Sequence, residues 1–217
     1  MLIMEIVQPI RDEKQLSQMK EILASQSQRN FILFELGLNS GLRISDILKL
    51  KVKDVRNQTH FILRETKTGK PKRLKLTPNI KQELDQYIKG MSDNDYLIGS
   101  REYKPLISVK KKTKSTDGKT ITTIEQIKNT ASNSPIDRVQ AYRILNSAAK
   151  QIGLDEIGTH SMRKSFGYHF YNKHNDATGK GLTFLQEIFN HSTPAVTLRY
   201  IGMTQDSIDS LMDDFVI

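Results

Sequence analysis

The run Phe31-Ile-Leu-Phe-Glu-Leu-Gly-Leu is the most apolar stretch of the chain, and it constrains the fold more than any other segment. Apolar on nearly every side, it predicts a buried helix, and Asn39-Ser40-Gly41 behind it is a helix C-terminal signal. A short second helix should follow at once, with Ile44, Ile47 and Leu48 spaced to face inward. Its first turn carries Arg43. A cation there meets the wrong end of the helix dipole, so Arg43 gains nothing locally and wants another explanation.

Capping signals divide the rest. Arg11–Ala24 reads as a surface helix. Between Thr59 and Leu76 the period shortens to that of strands, and two short strands joined by Thr66-Lys-Thr-Gly-Lys-Pro predict a hairpin with Lys67 in or beside its turn. Thr77-Pro78 opens a helix with Ile80, Leu84, Tyr87 and Ile88 inward, ending at Gly90. Ser134-Pro135 opens another, with Val139, Tyr142, Leu145, Ala148, Ala149 and Ile152 inward and Gly153 as its stop. Further helices are expected from Thr159 to Tyr171, around Phe184–Phe189, and from Pro194 to Gly202. A final one carries Ile208, Leu211, Met212 and Phe215 on one stripe.

These elements predict an α+β fold, mainly α-helical with a small antiparallel sheet, in a single domain over residues 1–217. Residues 97–133 read as an inserted hairpin or a flexible insertion, since Ile107-Ser-Val and Ile121-Thr-Thr-Ile flank a lysine run and Asp117-Gly118. Residues 203–217 read as a C-terminal tail helix.

Charge narrows the partners. Lys and Arg total 33 against 24 Asp and Glu, a formal charge of +9, which suits a polyanion. The excess gathers between Lys49 and Lys75, opposed only by Asp54 and Glu65, and again at Lys110-Lys111-Lys112-Thr113-Lys114. The last seventeen residues carry Asp206, Asp209, Asp213 and Asp214 with no Lys or Arg. With no cysteine, disulfides, thiolate metal sites and cysteine nucleophiles are excluded. Neither a basic leader nor an apolar stretch of the ~20 residues a bilayer span needs is present, so a cytoplasmic protein without membrane contact is expected. No carboxylate cluster or His-x-x-x-His pair suggests a metal, and no Gly-rich loop suggests a nucleotide, so no cofactor is expected.

Several residues have ordinary explanations when taken singly. His160 with Arg163 could be a capping histidine beside a surface arginine, His191 could cap a helix C-terminus, Tyr200 could be core or rim, and Lys67 any hairpin lysine. Taken in order, Gly41-Leu-Arg43-Ile-Ser-Asp46, Thr66-Lys67-Thr-Gly, Thr159-His160-Ser-Met-Arg163, Asn190-His191-Ser and Tyr200 nine residues on resemble the tyrosine recombinase (phage integrase) family. The segment Gln140-Ala-Tyr-Arg-Ile-Leu-Asn-Ser-Ala-Ala-Lys is similar to the family's helix before the His-x-x-Arg box. The likeness runs from Phe31 to Gly202.

The resemblance implies the DNA breaking-rejoining catalytic fold and a site-specific recombinase that cuts and rejoins DNA through a covalent 3′-phosphotyrosyl link, without metal or ATP. Arg43, Lys67, His160, Arg163 and His191 would be its catalytic set, Tyr200 its nucleophile, and Asp46 a support behind the site. Two guanidiniums suit the work, because they stay protonated and present planar donors to the nonbridging oxygens. Nearby cations would favour the Tyr200 phenolate, His160 would take its proton, Lys67 would protonate the leaving 5′-oxygen, and His191 would bond the phosphate. Lys70, Lys72, Arg73, Lys110, Lys111, Lys112 and Lys114 are expected to contact double-stranded DNA. A homotetramer assembled on DNA through the acidic tail is expected as well.

Most relatives carry a separate helical domain before the catalytic one. Fewer than thirty residues precede the helix that carries Phe31 here, so no such domain is expected. Two alternatives use related features: a type IB topoisomerase relaxing DNA as a monomer, and a DNA-binding regulator that has lost catalysis.

Overall fold

The computed structural model describes residues 7–100, 107–114, 120–127, 134–174, 178–213 and 215, with the backbone alone for 107–114 and 120–127. The elements among them are α1 (Glu13–Gln26), α2 (Gln28–Ser40), α3 (Ile44–Ile47), α4 (Val52–Val55), β1 (His60–Arg64), β2 (Pro71–Lys75), α5 (Pro78–Tyr87), β3 (Ile107–Lys114), β4 (Thr120–Ile127), α6 (Arg138–Lys150), α7 (Thr159–His174), α8 (Lys180–Phe189), α9 (Pro194–Ile201) and α10 (Met203–Asp213). The α+β, mainly helical architecture is as the sequence predicts.

Helix α2 is the hub, with Ile32, Leu33, Phe34 and Leu36 essentially without exposed surface. It packs against α1, α5 and α7. Gly41 ends it in the left-handed conformation at φ 59°, where a side chain would also strike the Phe166 ring. The turn that this glycine permits aims the chain at α3 and so presents Arg43.

Two hairpins interrupt the helices. Strands β1 and β2 pair antiparallel, with His60 opposite Lys75 and Arg64 opposite Pro71, and Phe61 anchors the sheet in the core. Strands β3 and β4 pair antiparallel with Lys110 opposite Ile124 and Lys112 opposite Thr122. Their stems meet where Ser100 N donates to Ser134 O and Ile136 N to Ile98 O. The expected turn at Asp117-Gly118 and the side chains of Lys110, Lys111, Lys112 and Lys114 lie outside the described residues.

Three expectations change in detail. The cap of α6 is Asp137, whose carboxylate accepts from Gln140 N, and its inward face is Ala141, Ile144, Leu145, Ala148 and Ala149. Val139 and Tyr142, expected inward, are exposed, because the helix phase is set by the smaller alanine-bearing stripe that lets α6 approach its neighbours. Phe184 likewise faces outward, while Leu185 and Phe189 carry the packing of α8. In the tail, Ile208, Met212 and Phe215 are exposed, Leu211 lies outside the described side chains, and Asp206 pairs with Arg11 at 2.6 Å. No helix among the described residues is long and apolar enough to cross a membrane.

Candidate active site

The six residues singled out by the sequence come from four places: the α2–α3 turn, the β1–β2 turn, the first turns of α7, and the α8–α9 segment. Arg43 occupies the N-cap position of α3 and makes no cap hydrogen bond with its side chain. Its explanation is tertiary. The guanidinium forms a 3.0 Å ion pair with Glu65, a carboxylate with only 4% of its side chain exposed at the end of β1. Thr68 Oγ1 donates to the other oxygen of Glu65 at 2.8 Å. Asp46, one turn on from Arg43, accepts from both Thr66 N (2.8 Å) and Thr66 Oγ1 (2.6 Å). That carboxylate therefore clamps the residue before Lys67 and fixes the base of the hairpin turn.

Arg163 is 2% exposed and is held by carbonyls: it donates to Gly41 O and, at 3.0 Å, to Phe189 O. Its guanidinium lies 4.2 Å over the Phe189 ring. Burial pulls its pKa below the ordinary arginine value, partly offset by Tyr200 and Glu65. A guanidinium reads bare helix-end carbonyls well, because the last carbonyls of α8 have no partner within the helix.

Tyr200, on α9, brings its hydroxyl to 3.5 Å from His160 Nδ1 and within hydrogen-bonding reach of Arg163. Its ring packs edge-on to Phe189 at 5.3 Å and to His191 at 5.1 Å, with the Lys164 ammonium 5.5 Å above it. Gly167 on α7 makes room for this cluster, since a methyl there would sit 2.6 Å from Ile201 and 2.8 Å from Phe189. His191 follows Asn190, the left-handed C-cap of α8, and its Nδ1 is 3.1 Å from Thr197 Oγ1.

Desolvation first, and then the charges of Arg163, Arg43 and Lys67, lower the pKa of His191 to about 4. His160 is lowered by the same kinds of cause, with Lys164 added. Both imidazoles are thus neutral at pH 7 and able to accept a proton. Lys67 sits exposed in the turn, and its charge bears on both histidines. The Tyr200 phenol departs from expectation. Burial pushes its pKa up, and the opposing pull of Arg163 and Arg43 does not cancel that. The phenol is therefore held in its protonated form at neutral pH.

Of the lysines expected on DNA, Lys70 and Arg73 are exposed and Lys70 reaches Asn190 Oδ1 at 3.2 Å. Lys72 is not on the outer surface. Strand alternation turns it inward with Leu74, where its ammonium donates to Ile188 O and stands 3.7 Å from Glu65. Glu65 is a member of the site that the sequence motifs missed, and Lys72, expected on DNA, belongs beside it instead. The signal was available: Lys72 shares its face with Leu74, which pairs with the buried Phe61.

A helical body in which the α2–α3 turn, α7 and the α8–α9 segment bring arginines and histidines to a tyrosine hydroxyl fits the tyrosine recombinase catalytic fold. Comparison with known proteins agrees. The model of the phage integrase family matches residues 11–206. The chain is 41% identical over 204 residues to the probable integrase/recombinase YoeC of Bacillus subtilis strain 168, covering 94% of each protein. Its fold is similar to the crystal structure of XerA recombinase (TM-score 0.62, 17% identity, 95% of this chain and 65% of that one). It is also similar to that of a lambda integrase dimer bound to a COC′ core site (TM-score 0.60, 15% identity, 89% and 47%). The chain thus spans nearly all of YoeC and about half to two thirds of these solved chains. It belongs to the phage integrase family and is by class a tyrosine recombinase.

Proposed function

We propose that the protein cuts and rejoins double-stranded DNA at specific sites through a covalent 3′-phosphotyrosyl intermediate, needing neither metal nor ATP. The observation that carries this reading is the Tyr200 hydroxyl lying between a neutral histidine, His160, and the buried guanidinium of Arg163. In the proposed reaction the Tyr200 oxygen bonds to phosphorus, its proton passes to His160, and the 5′-oxygen leaves with a proton from Lys67. Arg43, Arg163 and His191 receive the charge on the nonbridging oxygens. Because the phosphodiester is kept as a phosphotyrosine ester, a 5′-hydroxyl from another strand can reverse the step.

Arg163, whose hydrogen-bonding partners among the described residues include two carbonyls and no carboxylate, leaves a buried positive charge that a phosphate would balance. Lys70 and Arg73 on the hairpin, and the lysines of β3, are assigned to the DNA backbone, where their contribution should fall steeply with salt. The tail helix, with Ile208, Met212 and Phe215 uncovered, is assigned to contacts between subunits on DNA. Deletion of Ser207–Ile217 should weaken assembly on DNA without abolishing DNA binding, as read by gel shift.

The test is covalent trapping. The protein is incubated in EDTA without ATP on duplex DNA nicked near candidate sites, and an SDS-resistant adduct is sought. Wild type should form the adduct and Tyr200→Phe should not. An adduct persisting in Tyr200→Phe, or DNA binding with no adduct in wild type across a broad DNA pool, would overturn the reading in favour of a binding-only role.

A further inference from the structure

The two carbonyls at the end of α8, those of Ile188 and Phe189, are taken by two cations arriving from opposite sides. Arg163 comes from α7 to Phe189 O, and Lys72 comes from the β1–β2 hairpin to Ile188 O. The next residues are Asn190, which Lys70 also contacts, and His191. The far side of Lys72 meets Glu65, and Glu65 in turn holds Arg43. One buried ammonium therefore joins the hairpin that carries Lys67, the carboxylate that orients Arg43, and the helix end that delivers His191.

We infer that Lys72 is a positioning residue of the reaction, locking the β1–β2 hairpin to the C-terminus of α8 so that Lys67, Arg43 and His191 are held in register around the phosphate. This rests on the recombinase reading proposed above. The chemistry supports an ammonium at this place over an apolar residue. A cation satisfies a bare carbonyl at the negative end of a helix. It also neutralises Glu65, whose charge would otherwise stand close to a bound phosphate with Arg43 as its only ionic partner among the described residues. The groups facing Lys72 are Glu65 and Lys70 from the hairpin, Arg43 from the α2–α3 turn, Arg163 from α7 and Glu187 from α8. Burial, with Arg163 and Arg43, lowers the Lys72 pKa to about 8, so its charge is present at neutral pH and lost in mildly alkaline solution.

The role is separable from that of a proton donor. Single-turnover cleavage of nicked duplex is measured for wild type, Lys72→Met and Lys72→Arg, on an ordinary substrate and on one with sulfur in place of the 5′-bridging oxygen. A thiolate leaves without protonation. Lys72→Met should slow both substrates at least tenfold while the Kd for DNA stays within twofold, and Lys72→Arg should cleave within about threefold of wild type. Lys72→Met at the wild-type rate overturns the inference, and so does full recovery of that variant to the wild-type rate on the sulfur substrate, which would leave Lys72 no part in holding Arg43 and His191 and would make it a proton donor.

If Lys72→Met does not fold, the wild-type protein on the sulfur substrate decides. Its rate should fall as pH rises through about 8, and a rate flat from neutral pH to well above that value overturns the inference. Failure of the recombinase reading looks different, since wild type would then form no Tyr200-dependent adduct at all.

Discussion

The site is built on two apolar clusters of very different size. The larger, from Ile10 through Met162, includes Leu33, Phe34, Ile47 and Phe61, and it fixes the elements bearing Arg43, Asp46 and the β1–β2 hairpin. The smaller has only Leu185, Phe189 and Ile201 fully buried, and on it rest His191 and Tyr200. Arg163 spans the two, bonded to Gly41 O on one side and Phe189 O on the other. The half with Arg43 is thus backed by an extensive core, while the half with the tyrosine rests on a small one, three buried side chains with Phe166, Phe170, Tyr171, Ile188 and Met203 packed partly buried around them. Regions with few buried contacts open at lower free energy than the core. On that principle α8–α9 should open more readily than the body.

Truncating each cluster should separate them. Leu33→Ala, in the large core, should cost about 2–5 kcal/mol and lower the melting temperature of the whole chain, taking DNA binding and adduct formation down together. Phe189→Ala should cost about 3–5 kcal/mol by the same principle, but locally. Its signature is lost adduct formation with DNA affinity largely kept, together with faster amide hydrogen exchange in α9 than in α2. Equal exchange rates in α2 and α9 would show that the clusters unfold as one.

A smaller effect is expected at the hairpin base. Asp46→Ala removes the acceptor for Thr66 N and Oγ1 and should cost about 1–3 kcal/mol. Cleavage should slow through displacement of Lys67, so the sulfur-leaving-group substrate should recover part of the rate.

Acid should distinguish the clusters further. His191 has a folded-state pKa depressed to about 4 from 6.5, so its neutral form stabilises the fold. That contribution is complete above pH 6.5, because the folded and unfolded rings are then both neutral. It is lost as pH falls toward 4, where unfolding takes up a proton. The His191 ring, followed by NMR in the DNA-free protein, should titrate near pH 4, and a midpoint at its ordinary 6.5 would contradict the described packing. The smallest effect should come from Arg11→Ala. Its pair with Asp206 lies at the surface with about a third of each side chain exposed, so its loss should cost roughly 0.2–1 kcal/mol and should free α10 more than it changes cleavage.

Much of this arrangement was legible before any tertiary contact was known. The C-terminal glycine of α2, the Pro at the start of α5 and α9, and the Thr193 cap of α9 mark helix ends through local chemistry alone. The candidate residues Arg43, Lys67, His160, Arg163, His191 and Tyr200 were marked by the resemblance of their motifs to those of the tyrosine recombinase family. Helix α4 was missed because a single turn has no apolar stripe to read. The face of α6 was misjudged because Val139–Tyr142 and Ala141–Leu145 offer two helical phases, and only the neighbouring helices choose between them.

The sequence by itself determined where the helices stop, that one hairpin carries a lysine at its turn, and which side chains could handle a phosphate. Those are consequences of backbone preference and functional-group chemistry, which act over a few residues. Only the tertiary structure decided that Arg43 answers to Glu65 and that Lys72 turns inward to α8. It alone decided that Arg163 bridges two carbonyls 148 positions apart, at Gly41 and Phe189, and that burial outweighs the cations at the Tyr200 phenol. Each of these depends on desolvation and on distances between groups remote in the chain, and neither quantity exists until the core has closed.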